Sequence, residues 1–135
     1  MQKQDCERRA FARLSERLKT CFPRLRILLL LYGLYANGPV MQRCRDYHWP
    51  FMIVLKDQDL STVWQEFRAL HALKPQAMQR CWGRRRQRFL WVNAIDYAFG
   101  SNGRQRLKLH VVVCEESWEW IDQQATTVTK TGRHA

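Results

Sequence analysis

Acidic residues are scarce in this chain. Only 12 Asp and Glu stand against 23 Lys and Arg among 135 residues, a formal net charge of +11. Such an excess disfavours acidic or neutral function classes and favours a polyanionic partner through phosphate contacts and counterion release. Nucleic acid is the first candidate, and charge alone does not separate it from an anionic membrane surface. Paired cysteines are lacking too. Cys6, Cys21, Cys44, Cys81 and Cys114 are odd in number, widely spaced and without a Cys-x-x-Cys pair, which argues against a disulfide framework and against a zinc knuckle. A reducing cytoplasm is the expected compartment. No apolar stretch follows the charged N-terminus, so a secretory signal is not expected, and the run Ile27 to Leu31 is far too short to span a bilayer. Internal repeats and low-complexity tracts are absent.

Hydrophobic periodicity supplies most of what is present. From Asp5 to Phe22, apolar residues at Cys6, Ala10, Leu14, Leu18 and Cys21, with Phe11 alongside, predict an amphipathic helix that ends before Pro23. Leu25 to Tyr32 is a continuous apolar run closed by Gly33, the pattern of a strand covered on both faces. Asn37-Gly38-Pro39 is turn chemistry leading into a short helix over Val40 to Tyr47, and Trp49 to Leu55 is a second buried strand. Helix, strand, helix, strand implies a parallel pair joined by a right-handed crossover. Leu60, Val63, Trp64, Phe67 and Leu70 are spaced as a third helix, with Ser61 as its N-cap.

Beyond Pro75 the texture alternates. Phe89, Trp91, Asn93, Ile95, Tyr97 and Phe99 are placed on one face of a strand, and Leu107, Leu109, Val111 and Val113 on a second, with a hairpin turn near Asn102-Gly103. Glu115 to Ile121 reads as a brief helix and Gln123 to Ala135 as a polar tail. The expected fold class is therefore α/β, with an α/β part over residues 1–74, a β-rich part over 75–122 and a tail over 123–135.

The octapeptide Tyr32-Gly-Leu-Tyr-Ala-Asn-Gly-Pro39, at the end of an apolar strand, resembles the Asp-Gly-Leu-Tyr-Ala-Asn-x-Pro segment of DDE transposases of the insertion-sequence-four group. Lys3-Gln-Asp-Cys-Glu7, Phe22-Pro-Arg-Leu25, Phe51-Met-Ile-Val-Leu-Lys-Asp57, Trp91-Val-Asn-Ala-Ile-Asp-Tyr97, Val111-Val-Val-Cys-Glu-Glu116 and Thr129-Lys-Thr-Gly-Arg-His-Ala135 resemble further segments of that family in the family's order. Nearly the whole chain is covered.

The resemblance implies a partial RNase H-like core followed by the antiparallel β-insertion of this group. It also implies what that core does: three carboxylates hold divalent metal such as magnesium and support phosphodiester cleavage and strand transfer. By motif the second carboxylate falls at Tyr32, where a phenol with an ordinary pKa of about 10 brings no anionic oxygen at neutral pH. The first aspartate falls upstream of Met1 and the glutamate beyond Ala135. The expectation is thus a truncated, catalytically inactive transposase fragment with no catalytic residue, no metal ligand and no cofactor of its own. Its expected partners are DNA, bound without sequence preference, and an intact transposase; no membrane is involved. The alternative is a small basic DNA-binding or transposase-regulating protein that acts independently.

Other chemistry weighs less. Asp57, Asp59, Asp96, Glu115 and Glu116 are the carboxylates from which a different metal site would be drawn, but turn, charge-balancing and solvated roles account for them. His48, His71, His110 and His134 have no mutual ligand spacing, and Gly100-x-x-Gly103 is a turn. A covalent nucleophile at Tyr32 needs an arginine and histidine set that the sequence does not supply. Most of the excess charge lies between Arg80 and Lys108, so Arg84, Arg85, Arg86, Arg88, Arg104, Arg106 and Lys108 are the expected phosphate contacts. Trp82, Phe89 and Trp91, interleaved with them, are assigned to hairpin packing rather than base stacking.

Overall fold

A computed structural model describes the backbone of residues 3–121 and 127–134 and the side chains of residues 7–119. The fold is mixed α/β. In chain order it runs α1 (Lys3–Cys21), β1 (Leu29–Tyr32), a 3-10 turn (Gly33–Tyr35), α2 (Gly38–Asp46), β2 (Phe51–Val54), α3 (Ser61–Leu73), β3 (Ala77–Trp82), β4 (Arg85–Phe99), β5 (Gln105–Ile121) and β6 (Thr127–His134). Two packing units divide it, one ending at Val54 and the other beginning at Leu55.

In the first unit β1 and β2 pair in parallel, from Leu29 with Phe51 to Tyr32 with Val54. This is the expected parallel pair, with α2 in the connection between its strands. Asn37 starts α2 by accepting the Val40 N–H on its side-chain oxygen at 3.0 Å, which satisfies one of the helix's orphan donors. Val40, Met41, Cys44 and Trp49 form the buried apolar set. Burial raises the Cys44 thiol pKa, so it stays protonated.

Two expectations fail in this unit. The strands are not covered on both faces: Leu30 is 70% exposed and Met52 65%, while Leu29, Leu31, Phe51 and Ile53 alternate inward. The pair of four-residue strands shelters one face and leaves the other to water. The inward stripe of α1 is also displaced. Leu14 is 57% exposed, whereas Ser15 is buried and donates its hydroxyl to the Ala12 carbonyl at 2.8 Å. A small side chain satisfied within its own helix can be buried without an orphaned polar group. Glu7, Phe11, Ser15 and Leu18 therefore share the sheltered face, and Ala10 and Leu14 do not.

The second unit is a four-stranded antiparallel sheet in the order β3-β4-β5-β6. Val63, Trp64 and Phe67 of α3 form one cluster with Val92, Ile95, Val111 and Val113 of the sheet. Full burial of apolar side chains of this size stabilises by roughly 1.5–3 kcal/mol each. Since this cluster joins α3 to β4 and β5, α3 belongs with the sheet, and the packing boundary falls about twenty residues before the change in sequence texture. Ser61 is the first helical residue rather than the cap. Leu60 holds the capping position in a left-handed conformation, φ 49°, with no side-chain cap.

Four further differences concern the strands. Residues 77–82 form β3, for which the sequence pattern predicts no element. Glu115 to Ile121 continues β5 instead of forming a helix, and Thr127 to His134 is a strand paired with it instead of a featureless tail. Residues 122–126 and 135 lie outside the described residues. Finally, a β-bulge falls between Val92 and Ile95, with Ala94 at φ 58°. A bulge adds one residue and exchanges faces beyond it. Ile95, Tyr97 and Phe99 thus share a face with Leu90 and Val92, and not with Phe89 and Trp91.

Candidate nucleic-acid interface

The seven basic residues singled out from sequence do not form one cluster. Arg84 lies in the β3–β4 turn beside Gly83, whose φ of 59° allows the tight reversal, and Arg85, Arg86 and Arg88 follow on β4. Arg104, Arg106 and Lys108 lie at the other end of the same hairpin, since Arg106 is in register with Ala98. Twelve positions separate Arg86 from Ala98, a span of roughly 35–40 Å along a strand.

Several of these cations also have local partners. Arg85 approaches Glu116 at 3.9 Å, Arg88 approaches Glu115 at 3.8 Å and Lys108 approaches Asp96 at 3.8 Å. Glu115 and Glu116 are therefore not merely solvated at a strand end: they lie directly opposite Arg88 and Gln87, and the Glu116 carboxylate also accepts from the Gln87 amide. Pairs at these distances whose cation is exposed are weak, on the order of 0–1 kcal/mol. They occupy cationic groups that a phosphate would otherwise contact.

Between the two basic ends, the sheet presents two unlike faces. Alternation along β4 and β5 turns Leu90, Val92, Ile95, Leu107, Leu109, Val111 and Val113 toward α3. The opposite parity brings Trp82 of β3, Arg85 of β4 and Trp118 of β5 into one row, followed by Arg80, Gln87 and Glu116, then Met78, Phe89 and Cys114, then Trp91 and Val112. Trp82, Phe89 and Trp91 are thus outside the hairpin core expected for them. Trp82 is 62% exposed, and Phe89, Trp91 and Trp118 are half-buried. The Arg85 guanidinium stands over the Trp118 ring at 5.5 Å, within range for cation–π attraction. Sequence reasoning missed Trp118 because it assigned that segment to a helix. It missed that Arg80 and Trp82 share a face because β3 was not recognised, although Met78, Arg80 and Trp82 alternate as strand residues do.

The remaining candidates are dispersed. Tyr32 ends β1 with its hydroxyl donating to Glu7 Oε2 at 2.8 Å, its ring edge-on to Tyr35. That hydrogen bond, foremost, raises the phenol's pKa. Asp59 accepts the Lys56 N–H at 2.9 Å and closes a turn before α3, while Asp57 is exposed. His71 stacks on Phe67 with Nε2 3.2 Å from the Gln76 carbonyl, His110 Nδ1 lies 3.1 Å from Asn93 Oδ1, and His48 occupies a positive-φ turn. The side chain of His134 is outside the described residues. Among the described residues no three His, Cys, Asp or Glu side chains are grouped to hold a metal ion, and no helix is long and apolar enough to cross a membrane. No protein-family model, curated protein or solved structure matches the chain.

Proposed function

We propose that the chain is an internal part of a DDE transposase of the insertion-sequence-four group, inactive in phosphodiester chemistry as it stands and retaining affinity for duplex DNA. Tyr32 carries the reading. The octapeptide that resembles the family's aspartate-bearing segment runs from the last residue of β1 into the first turn of α2, and its opening position holds a neutral phenol donating to Glu7. A phenol is protonated at neutral pH and the hydrogen bond to Glu7 moves its pKa further up, so it offers magnesium no anionic oxygen. Further support comes from the order of elements, an α/β crossover followed by a helix and a long antiparallel sheet, which suits a partial RNase H-like core with its β-insertion. The positive charge, +11 over the chain, supplies the DNA affinity.

The test is cleavage. Purified protein with magnesium or manganese should leave supercoiled DNA and oligonucleotide duplexes neither nicked nor joined, and Tyr32→Asp alone should not change this. Metal-dependent nicking that survives Tyr32→Phe and disappears in Asp57→Ala would overturn the proposal and establish a different carboxylate site.

A further inference from the structure

The outward face of the β3–β4–β5 sheet combines features that duplex phosphate contact does not use. Within each row, residues on adjacent strands stand roughly 5 Å apart, and successive rows on one face are roughly 7 Å apart. Trp82 and Trp118 flank Arg85, Arg80 lies in the next row, and Phe89 lies in the row after that. Met78 and Val112 are each more than half exposed beside them. Aromatic and apolar rows on either side of a polar row, Arg80, Gln87 and Glu116, make a surface of exposed rings interleaved with charge, and its occupant has to be both flat-surfaced and anionic.

A second copy of this chain would bring Arg80 and Arg85 against their own like charges, with the whole chain at +11. A DNA duplex presents phosphates but keeps its base faces stacked inside. Single strands expose both, and aromatic platforms interleaved with arginines are how proteins hold them. We propose that this face binds single-stranded DNA, with bases stacked on Trp82, Phe89 and Trp118 and the backbone held by Arg80 and Arg85. The choice of single strand over duplex rests on the sheet face alone. The choice of DNA over RNA rests on the function proposed above.

The experiment titrates the full chain with an oligothymidylate of about 20 nucleotides, a duplex and an oligouridylate of the same length, following tryptophan quenching and the anisotropy of labelled probes. The thymidylate should bind more tightly than the duplex. Trp82→Ala and Trp118→Ala should each weaken it by roughly 5- to 150-fold with duplex affinity unchanged, and Trp82→Phe should retain it. Trp82 is mostly solvent-exposed, so its removal leaves the folded core intact, as circular dichroism would verify. Equal or tighter binding of the duplex, or a Trp82→Ala variant with undiminished single-strand affinity, would overturn the proposal. Self-association abolished by Trp82→Ala would overturn it in favour of a second copy. A preference for oligouridylate would support the single-strand face and overturn the choice of DNA.

Discussion

Tyr32 illustrates how a single side chain is felt through its neighbours. Its hydroxyl needs an acceptor, and Glu7, on the helix before it, provides a carboxylate. Because donating to that carboxylate favours the neutral phenol, the folded-state pKa lies above the unfolded one. The linked stability is fully present below the unfolded value of about 10 and is lost as pH rises through the folded value. Ultraviolet titration should therefore show Tyr32 ionising above an ordinary tyrosine, and Glu7→Ala should return it toward the ordinary value. Tyr97, raised by burial instead, should be unmoved by that change, and a Tyr32 titration indifferent to Glu7 would refute the assignment. The position of Tyr32 at a strand end was readable from the apolar run before it and the turn after it. Its partner was not, because periodicity placed Ala10 and Leu14 inward and could not foresee that Ser15 would be buried with its hydroxyl bonded to its own helix.

At the scale of elements, α1 and α3 were legible because their apolar residues recur at helical spacing, α2 because Asn37-Gly38-Pro39 is the chemistry of a turn into a helix, and the Leu107 to Val113 strand because its residues alternate. The bulge was not legible. Ala94 adopts φ 58°, a conformation alanine does not advertise and glycine would. Left-handed backbone costs an L-residue with a Cβ roughly 1–2 kcal/mol. Replacing Ala94 by glycine should consequently raise the urea midpoint, by about 0.5–1 kcal/mol in unfolding free energy once glycine's greater chain entropy is subtracted. Leu60 has φ 49° but packs against the α3 cluster, so Leu60→Gly should destabilise despite the same relief of strain. Next to the bulge, fully buried Ile95 sets the scale of the core: truncation to alanine should cost about 2–5 kcal/mol in the same assay. A loss below about 1 kcal/mol, well under that range, would mean that this cluster does not hold the sheet to α3.

Across the whole molecule, net charge was plain from sequence and its arrangement was not. The seven cations lie at the two ends of a long hairpin, and three of them have carboxylates nearby. Counterion release predicts a salt slope on duplex DNA that falls by roughly 0.9 for each phosphate the protein ceases to neutralise. Replacing Arg84, Arg85, Arg86 and Arg88 together with alanine should lower that slope by less than four such steps, because Glu115 and Glu116 already engage two of the four. Binding should weaken alike on unrelated duplex sequences. An unchanged slope in a folded variant would show these arginines to be a solvated face. The unit boundary escaped the sequence pattern for a similar reason: α3 has the texture of the helices before it, and only its packing against Val92 and Ile95 assigns it to the sheet.

The bulge also decides where the hairpin can change length. Val92 faces Val111 and Ile95 faces Leu109, so β4 spends three steps where β5 spends two. Deleting the single codon for Ala94 would leave Asn93 alone between them, and Val92, Ile95 and Tyr97 would keep both their partners and their side of the sheet. Deleting Asp96 instead has no such slack to draw on. Tyr97 would move into an outward position, and every residue from there to the Ser101–Gly103 loop would exchange inside for outside. One codon in the middle of a long strand is thus dispensable while its neighbour two places on is not, a tolerance to length change that ordinarily belongs to loops.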